Sequence, residues 1–185
     1  MRKSLREHIE AVTSLTDEEF EVVLGHCSAR TAKKGEYLIR KGEFVPYSFF
    51  VTSGLLKLVH EDTEGKDYIV AFAMEDWWES DYLAYFTETR ASMSLQCLED
   101  TEVVCLSLPA YRQLCARLPK MALFFLEKAT RGNIGAQQRI LSLITSNARE
   151  RYEHLLDRYP QLVQRVSKAQ LATYLGVSRE TLSRI

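Results

Sequence analysis

No two cysteines in this sequence stand close enough to form a pair: Cys27, Cys97, Cys105 and Cys115 are scattered singly. Neither a zinc knuckle nor a dithiol redox motif can therefore be built from neighbouring residues, and reduced structural thiols are expected. His26 stands beside Cys27, but adjacent residues on a helix point apart and no second pair is placed to complete four ligands, so no metal is expected. Long apolar runs are also missing. The longest, Met121 to Leu126, falls far short of the ~20 residues a spanning helix needs. The basic start, Arg2-Lys3, leads into no apolar stretch of the signal-peptide kind. These absences predict a cytoplasmic protein with no membrane partner. Internal repeats of domain size and low-complexity tracts are absent too. With 46% hydrophobic and 26% charged residues, what is left is an ordinary soluble globular chain of one large or two small domains.

Nor is there a strong net charge. The formal total is −1, but it is unevenly divided. From Gln161 onward Arg165, Lys168, Arg179 and Arg184 face Glu180 alone, a local +3 that leaves −4 for the rest of the chain. An acidic body repels a polyanion while a basic tail attracts one, which favours tail-first docking on DNA.

Thr16-Asp17-Glu18-Glu19 is a capping box, with Thr16 as N-cap and Glu19 at the third helical position, and predicts a short helix opening the chain. Short β-rich runs follow at Tyr37–Ile39, Phe49–Thr52, Leu55–His60, Tyr68–Ala73, Met93–Leu98 and Glu102–Leu106. Their spacing suits an antiparallel sandwich or jelly roll. Asp62 to Lys66 forms a hairpin loop in which Gly65 is free to take positive φ.

From Pro119 the apolar period becomes helical, with Leu126, Ala129, Asn133, Ala136, Ile140 and Leu143 at alternating steps of three and four. That stripe is either a two-chain seam or a face packed on the chain's own sandwich. Gly132 and Gly135 weaken a coiled coil by ~1 kcal/mol each, yet small residues also permit close helix approach. Pro160 marks a break.

The tail from Val166 contains two helix starts of one design, each reading Val-Ser-x-x-x-Leu. Ser167 and Ser178 serve as caps, and Val166 with Leu171, then Val177 with Leu182, occupy hydrophobic-staple positions. Gln170 completes a capping box and Gly176 supplies the turn, which together predict a helix-turn-helix. On the second helix Leu182 and Ile185 form the apolar side, leaving Arg179, Glu180, Ser183 and Arg184 outward. Arginine matches guanine O6 and N7 and glutamate accepts from cytosine N4, so these are candidate base readers. Ser167, Ser178 and Thr181 suit phosphate contacts, and Lys168 adds basic charge. The chain stops at Ile185, inside this helix of under two turns, as expected for a truncated version of a longer protein.

The segment Ser178 to Ile185 closely resembles the recognition helix of the cyclic AMP receptor (Crp/Fnr) family of bacterial regulators. Lys41-Gly42-Glu43, the Phe49 to Gly54 strand and turn, the Gly65 hairpin and Leu98 to Val103 resemble that family's cyclic-nucleotide-binding fold. The resemblance covers nearly the whole chain. It implies an α+β protein in three parts: a cyclic-nucleotide-binding-like jelly roll over 1–118, a dimerisation helix over 119–147, and a winged-helix-type helix-turn-helix over 148–185, incomplete at its C-terminus. It further implies a homodimer on an inverted-repeat operator in double-stranded DNA, contact with RNA polymerase, and base reading by Arg179, Glu180 and Arg184.

The ligand cassette departs from the family pattern, which has a Gly-Glu pair and, about ten residues on, an Arg followed by Ser or Thr. Here Asp76 to Leu83 and Thr89 to Met93 hold no opening glycine. Glu79 or Asp81 stands where the ribose-binding acid would be. Anchoring on Ser92 puts Ala91 in the arginine's place and Arg90 one residue away, which on a strand reverses the face. Three readings stay open: an empty pocket, an unidentified small effector in the roll, or a cyclic nucleotide bound through Arg90 in an irregular loop. Trp77, Trp78 and Tyr82 either stack on a planar ligand or fill the core. An iron–sulfur cluster is not expected, since Cys27 alone precedes the sheet. Catalysis by the Glu79 and Asp81 carboxylates lacks a nucleophile or histidine beside them, and a protein-interaction role for the terminal helices is the remaining alternative.

Overall fold

The computed structural model describes residues 2–185. The first helix, α1 (Arg2–Glu10), was not expected from sequence; its Leu5 and Ile9, one turn apart, are fully buried. The next, α2 (Asp17–Gly25), begins at the Thr16 capping box: the Thr16 hydroxyl accepts from Glu19 N–H at 3.2 Å and the Glu19 carboxylate accepts from Thr16 N–H at 2.9 Å. The box is as read, but the helix it starts is second in the chain.

Eight strands among the described residues form the roll: β1 (Cys27–Ala32), β2 (Tyr37–Ile39), β3 (Tyr47–Ser53), β4 (Leu56–Glu61), β5 (Asp67–Ala73), β6 (Trp78–Glu79), β7 (Ser94–Cys97) and β8 (Thr101–Ser107). They make two four-stranded antiparallel sheets, ordered β1-β8-β3-β6 and β2-β7-β4-β5. The β4–β5 loop closes as a hairpin, with Asp62 N–H donating to Lys66 O at 3.0 Å and Gly65 at φ +79°. β1 escaped the sequence reading because Cys-Ser-Ala-Arg-Thr-Ala is an exposed edge strand with little apolar alternation.

Each sheet is covered on both faces, which explains why several strands read as continuous apolar runs. Phe49 and Val51 point between the sheets, whereas Phe50 faces outward onto Leu5, Ile9, Phe20 and Phe124. In the second sheet Leu56, Leu58 and Ala73 face inward. Val59, Ile69 and Phe72 face outward onto the C-terminal helices.

Two short helices interrupt the roll region, α3 (Tyr82–Thr87) and α4 (Leu108–Arg117), neither foreseen from sequence. The long helix α5 spans Pro119–Thr145 and ends two residues before the expected boundary, because Asn147 caps the next helix with Glu150 in a second capping box. Met121 and Phe124 bury its first turns on the roll. Beyond them Leu126, Ala129, Asn133, Ala136, Ile140 and Leu143 are all exposed, so in this chain the stripe is not packed on its own sandwich. A Cβ at Gly132 or Gly135 would meet open space.

The C-terminal helices are α6 (Ala148–Arg158), α7 (Pro160–Arg165), α8 (Lys168–Leu175) and α9 (Arg179–Ser183). Their apolar side chains Leu155, Leu162, Val166, Leu171, Leu175 and Leu182 share one buried cluster with Leu55, Val59, Ile69 and Phe72 of the roll. No helix of the described residues is long and apolar enough to cross a membrane.

Candidate functional site

The tail folds into two capped helices about a glycine turn. Ser167 Oγ accepts from Gln170 N–H at 3.2 Å and Gln170 Oε1 accepts from Ser167 N–H at 3.1 Å. Ser178 Oγ accepts from Thr181 N–H at 3.1 Å. Gly176, at φ +68°, is the left-handed C-cap of α8, and the next N–H, of Val177, reaches Ala172 O at 3.0 Å. A glycine takes this conformation without the Cβ penalty any other residue would carry. Val166, Leu171 and Leu182 are buried and Val177 is half-buried, so the staple residues fix the angle between α8 and α9.

With the apolar side turned inward, Ser167, Lys168, Ser178, Arg179, Glu180, Thr181, Ser183 and Arg184 are all exposed. Arg179, Glu180 and Ser183 project from α9, while Arg184 is its C-cap residue. The Glu180 carboxyl is held below its ordinary range by its own N–H at the helix start and by the Ser178 hydroxyl. The face therefore presents two guanidinium groups and one carboxylate, donors and acceptors of the kind that read base edges.

In the cassette region, β6 and the N-terminus of α3 gather polar side chains of different roles. Asp81, fully buried, caps α3 by accepting from Ala84 N–H at 3.2 Å. Its other oxygen accepts from Ser92 N–H at 2.8 Å, Ser92 Oγ at 3.0 Å and Met93 N–H at 3.1 Å. Glu79 is buried, accepts from Ser80 N–H at 2.9 Å, and is pushed up to about 7 by burial. Burial and the charge of the Glu79 carboxyl raise the Tyr82 hydroxyl, and a hydrogen bond with Ser48 opposes them. Arg90 turns away from this group, donating to Gly42 O at 2.8 Å and lying 4.9 Å over the Phe44 ring. Its neighbour Ala91 is the buried one. Asp81 and Ser92 are thus brought together, Glu79 lies two residues from Asp81, and Arg90 is on the outer face.

Of the three aromatic candidates, Trp78 packs on Phe50 and Phe125 at 5.3 and 5.7 Å, and Trp77 on Tyr159 at 5.3 Å, all core contacts. Tyr82 stacks on Phe86 at 6.2 Å. Sequence reading passed over the capping role of Asp81, although an Asp three residues before the Ala84 position is an ordinary N-cap signal. It also counted Arg165 only as tail charge. Its partners, Glu75 and Glu99, are 90 and 66 residues away, and no local pattern reveals them.

The cyclic nucleotide-binding domain family matches residues 29–118, which hold all eight strands but the start of β1. The chain is 27% identical over 167 residues to the transcriptional activator protein Anr of Pseudomonas protegens, covering 84% of this chain and 68% of that one. It is also 27% identical over 165 residues to the transcriptional regulatory protein btr of Bordetella pertussis, covering 83% and 67%. Over most of its length the chain is similar to transcription regulators of the Crp/Fnr family. Solved structures share the fold. The catabolite activator protein of Thermus thermophilus superimposes with a TM-score of 0.60 at 24% identity, covering 93% of this chain and 82% of that one. FixK2 of Bradyrhizobium japonicum gives 0.75 at 18%, covering 85% and 81%. The Crp/Fnr relatives are transcription regulators.

Proposed function

We propose that the protein is a sequence-specific DNA-binding transcription regulator that acts as a homodimer in the cytoplasm, not as an enzyme. The observation that carries this reading is the exposed polar face of Arg179, Glu180, Ser183 and Arg184, opposite a buried Leu182, on a helix whose capped start and preceding glycine turn are those of a helix-turn-helix. The exposed Leu126 to Leu143 stripe of α5 supports a second copy of the chain as dimer partner. An inverted-repeat operator follows from two-fold symmetry. RNA polymerase is the further partner that regulators of this kind address. The working division is a sensor over 1–118, the dimerisation helix over 119–147 and the DNA-binding module over 148–185.

The sensor does not bind cyclic AMP in the family's usual way in this reading. Asp81 and Ser92 spend their polar atoms on each other and on α3, and Arg90 lies outside. A cyclic phosphate in the roll would lack a charge-assisted bidentate partner. Selection of sites from a random DNA pool tests the main claim: enrichment of an inverted repeat is expected, and a pool that stays random would sink it. Calorimetry with cyclic AMP and cyclic GMP tests the second. Submicromolar affinity, about −8 kcal/mol or better, would restore the cyclic-nucleotide-responsive alternative.

A further inference from the structure

Beside the apolar cluster that the helix-turn-helix module shares with the roll, one guanidinium ties the two together by charge. Arg165, the last residue of α7, sits between two carboxylates and meets each through two contacts. Its Nη1 and Nη2 reach Glu75 Oε2 and Oε1 at 2.7 and 3.0 Å, and its Nε and Nη2 reach Glu99 Oε1 and Oε2 at 3.0 and 2.6 Å. Glu75 lies between β5 and β6, and Glu99 between β7 and β8; Gly54 N–H, from the β3–β4 turn, also donates to Glu75 Oε1 at 2.8 Å. Two turns of the roll thus converge on one arginine of the module, and a third steadies Glu75. Guanidinium geometry suits this double fork, which lysine could not fill. Without the arginine, two like charges would face one another across a partly buried site. Burial alone would raise the Glu75 carboxyl, yet the Arg165 hydrogen bonds and the backbone N–H donors carry it below its ordinary range.

The position of Glu75 gives the contact its meaning. Glu75 and Trp77 flank Asp76, a non-glycine residue held at φ +67°. This short connection leads straight into Glu79 and Asp81. It is pinned to β3, with Asp76 N–H donating to Val51 O at 3.0 Å and Val51 N–H to Trp77 O at 2.9 Å. Both flanking side chains touch the module, Glu75 through Arg165 and Trp77 through the Tyr159 ring. A shift of the cassette must therefore move both of these contacts with the module. The clamp is also reversible in principle: the side chains of Arg165, Glu75 and Glu99 are 23%, 40% and 35% exposed, so solvent and salt reach it.

We propose that Arg165 is a releasable interdomain latch, which sets the orientation of the DNA-binding module according to the position of the Glu75–Trp77 connection. The latch stands on the contacts above. Its consequence for DNA rests on the function proposed for the module.

Amide hydrogen exchange on the full-length protein without DNA tests it, in the wild type, Arg165→Met, and the triple variant Arg165→Met/Glu75→Gln/Glu99→Gln. In the wild type, exchange across residues 148–175 should quicken about tenfold between roughly 0.05 and 0.5 M salt, while β3 and β8 stay protected. Arg165→Met should show fast exchange in 148–175 at low salt. The triple variant leaves no charge unpaired, and so keeps the roll folded even if Arg165→Met loosens the whole chain. It should exchange faster than wild type in 148–175 at low salt and ignore the salt change. A triple variant matching wild type in both protection and salt response overturns the latch. Because no DNA is present, failure to bind any operator would count against the proposed function and leave this result standing.

Discussion

Asp81 and Ser92 hold each other: one Asp81 oxygen accepts from the Ser92 N–H at 2.8 Å and the Ser92 hydroxyl at 3.0 Å, while the other caps α3. A fully buried carboxylate with four donors is a structural tie. Removing it strands those donors in the interior. Asp81→Ala is expected to cost about 3 kcal/mol or more, and Asp81→Asn less, because the amide keeps one acceptor oxygen. Urea unfolding measures both. A wild-type midpoint for Asp81→Ala would mean that the tie contributes nothing.

Gly54 has no room for a side chain. At φ +104°, a Cβ there would stand 2.5 Å from Thr101 Oγ1 and 2.8 Å from Asp100 O. Both the backbone conformation and the space exclude it. Gly54→Ala should lower stability by roughly 3 kcal/mol, combining left-handed strain with overpacking. Gly65→Ala, at φ +79° with nothing within 4 Å, should cost only the backbone strain, about 1 kcal/mol. Equal losses at the two sites would refute the steric part of this account.

What could be read in the sequence was what local chemistry dictates. The Thr16 and Ser167 capping boxes, the Gly65 hairpin, the Gly176 turn and the outward polar face of α9 all follow from residues within four positions of one another. The β-runs at Phe49 and Tyr68 were found through their apolar content, though sheets covered on both faces had blurred their alternation. α1, α3 and α4 were missed because each is short and owes its stability to packing: Leu5 and Ile9 need Phe50 and Phe124 beneath them. The cassette was legible only as a departure. That Arg90 faces outward and Ala91 inward agrees with the one-residue face reversal expected there, but the bonds between Asp81 and Ser92 needed the fold. The Arg165 clamp joins residues too distant in sequence for any window to connect.

The buried Glu79 carboxyl makes stability depend on pH in a defined direction. Its value in the fold is about 7 against an ordinary 4.5, so burial favours the protonated form. Below about 4.5 both folded and unfolded chains carry the proton, and no penalty exists. Between there and about 7 the unfolded chain has ionised while the folded one has not, so folding loses stability as pH rises; above that the loss is constant. Its size is on the order of 3 kcal/mol. Glu79→Gln should flatten this window and be more stable than wild type at pH 8. Denaturant midpoints from pH 4.5 to 8 check it. A wild-type slope retained in the variant would assign the pH dependence to another group.

The α5 stripe offers a clean test of assembly, since Leu126 and Ile140 are 63% and 57% exposed and touch no buried cluster of the chain itself. Leu126→Glu/Ile140→Glu should therefore leave the fold intact while abolishing the seam. Light scattering at tens of micromolar, a range set by ordinary weak-dimer affinities, should find a dimer for the wild type and a monomer for the variant, with the same circular dichroism. A variant that stays dimeric moves the interface elsewhere.

The recognition face divides into groups that discriminate and groups that attract. Arg184 and Arg179 present guanidinium forks beside the Glu180 carboxylate on α9, whereas Lys168 stands at the start of α8, away from that row. A fork that donates twice to guanine carries sequence information; an ammonium beside a phosphate carries none. Arg184→Ala is expected to cost about 1–3 kcal/mol on the preferred operator and to relax selection at one base pair of each half-site. Lys168→Ala should instead weaken binding to all duplexes alike and make the fall of affinity with salt less steep by roughly one counterion. The half-sites should lie about one helical turn apart, as a two-fold dimer requires. Site selection followed by salt titration of the two variants separates these effects, because sequence preference and salt slope are independent readouts. If Arg184→Ala returns the wild-type site at wild-type affinity, base reading does not lie on this row of α9, and the exposed tail serves a different partner.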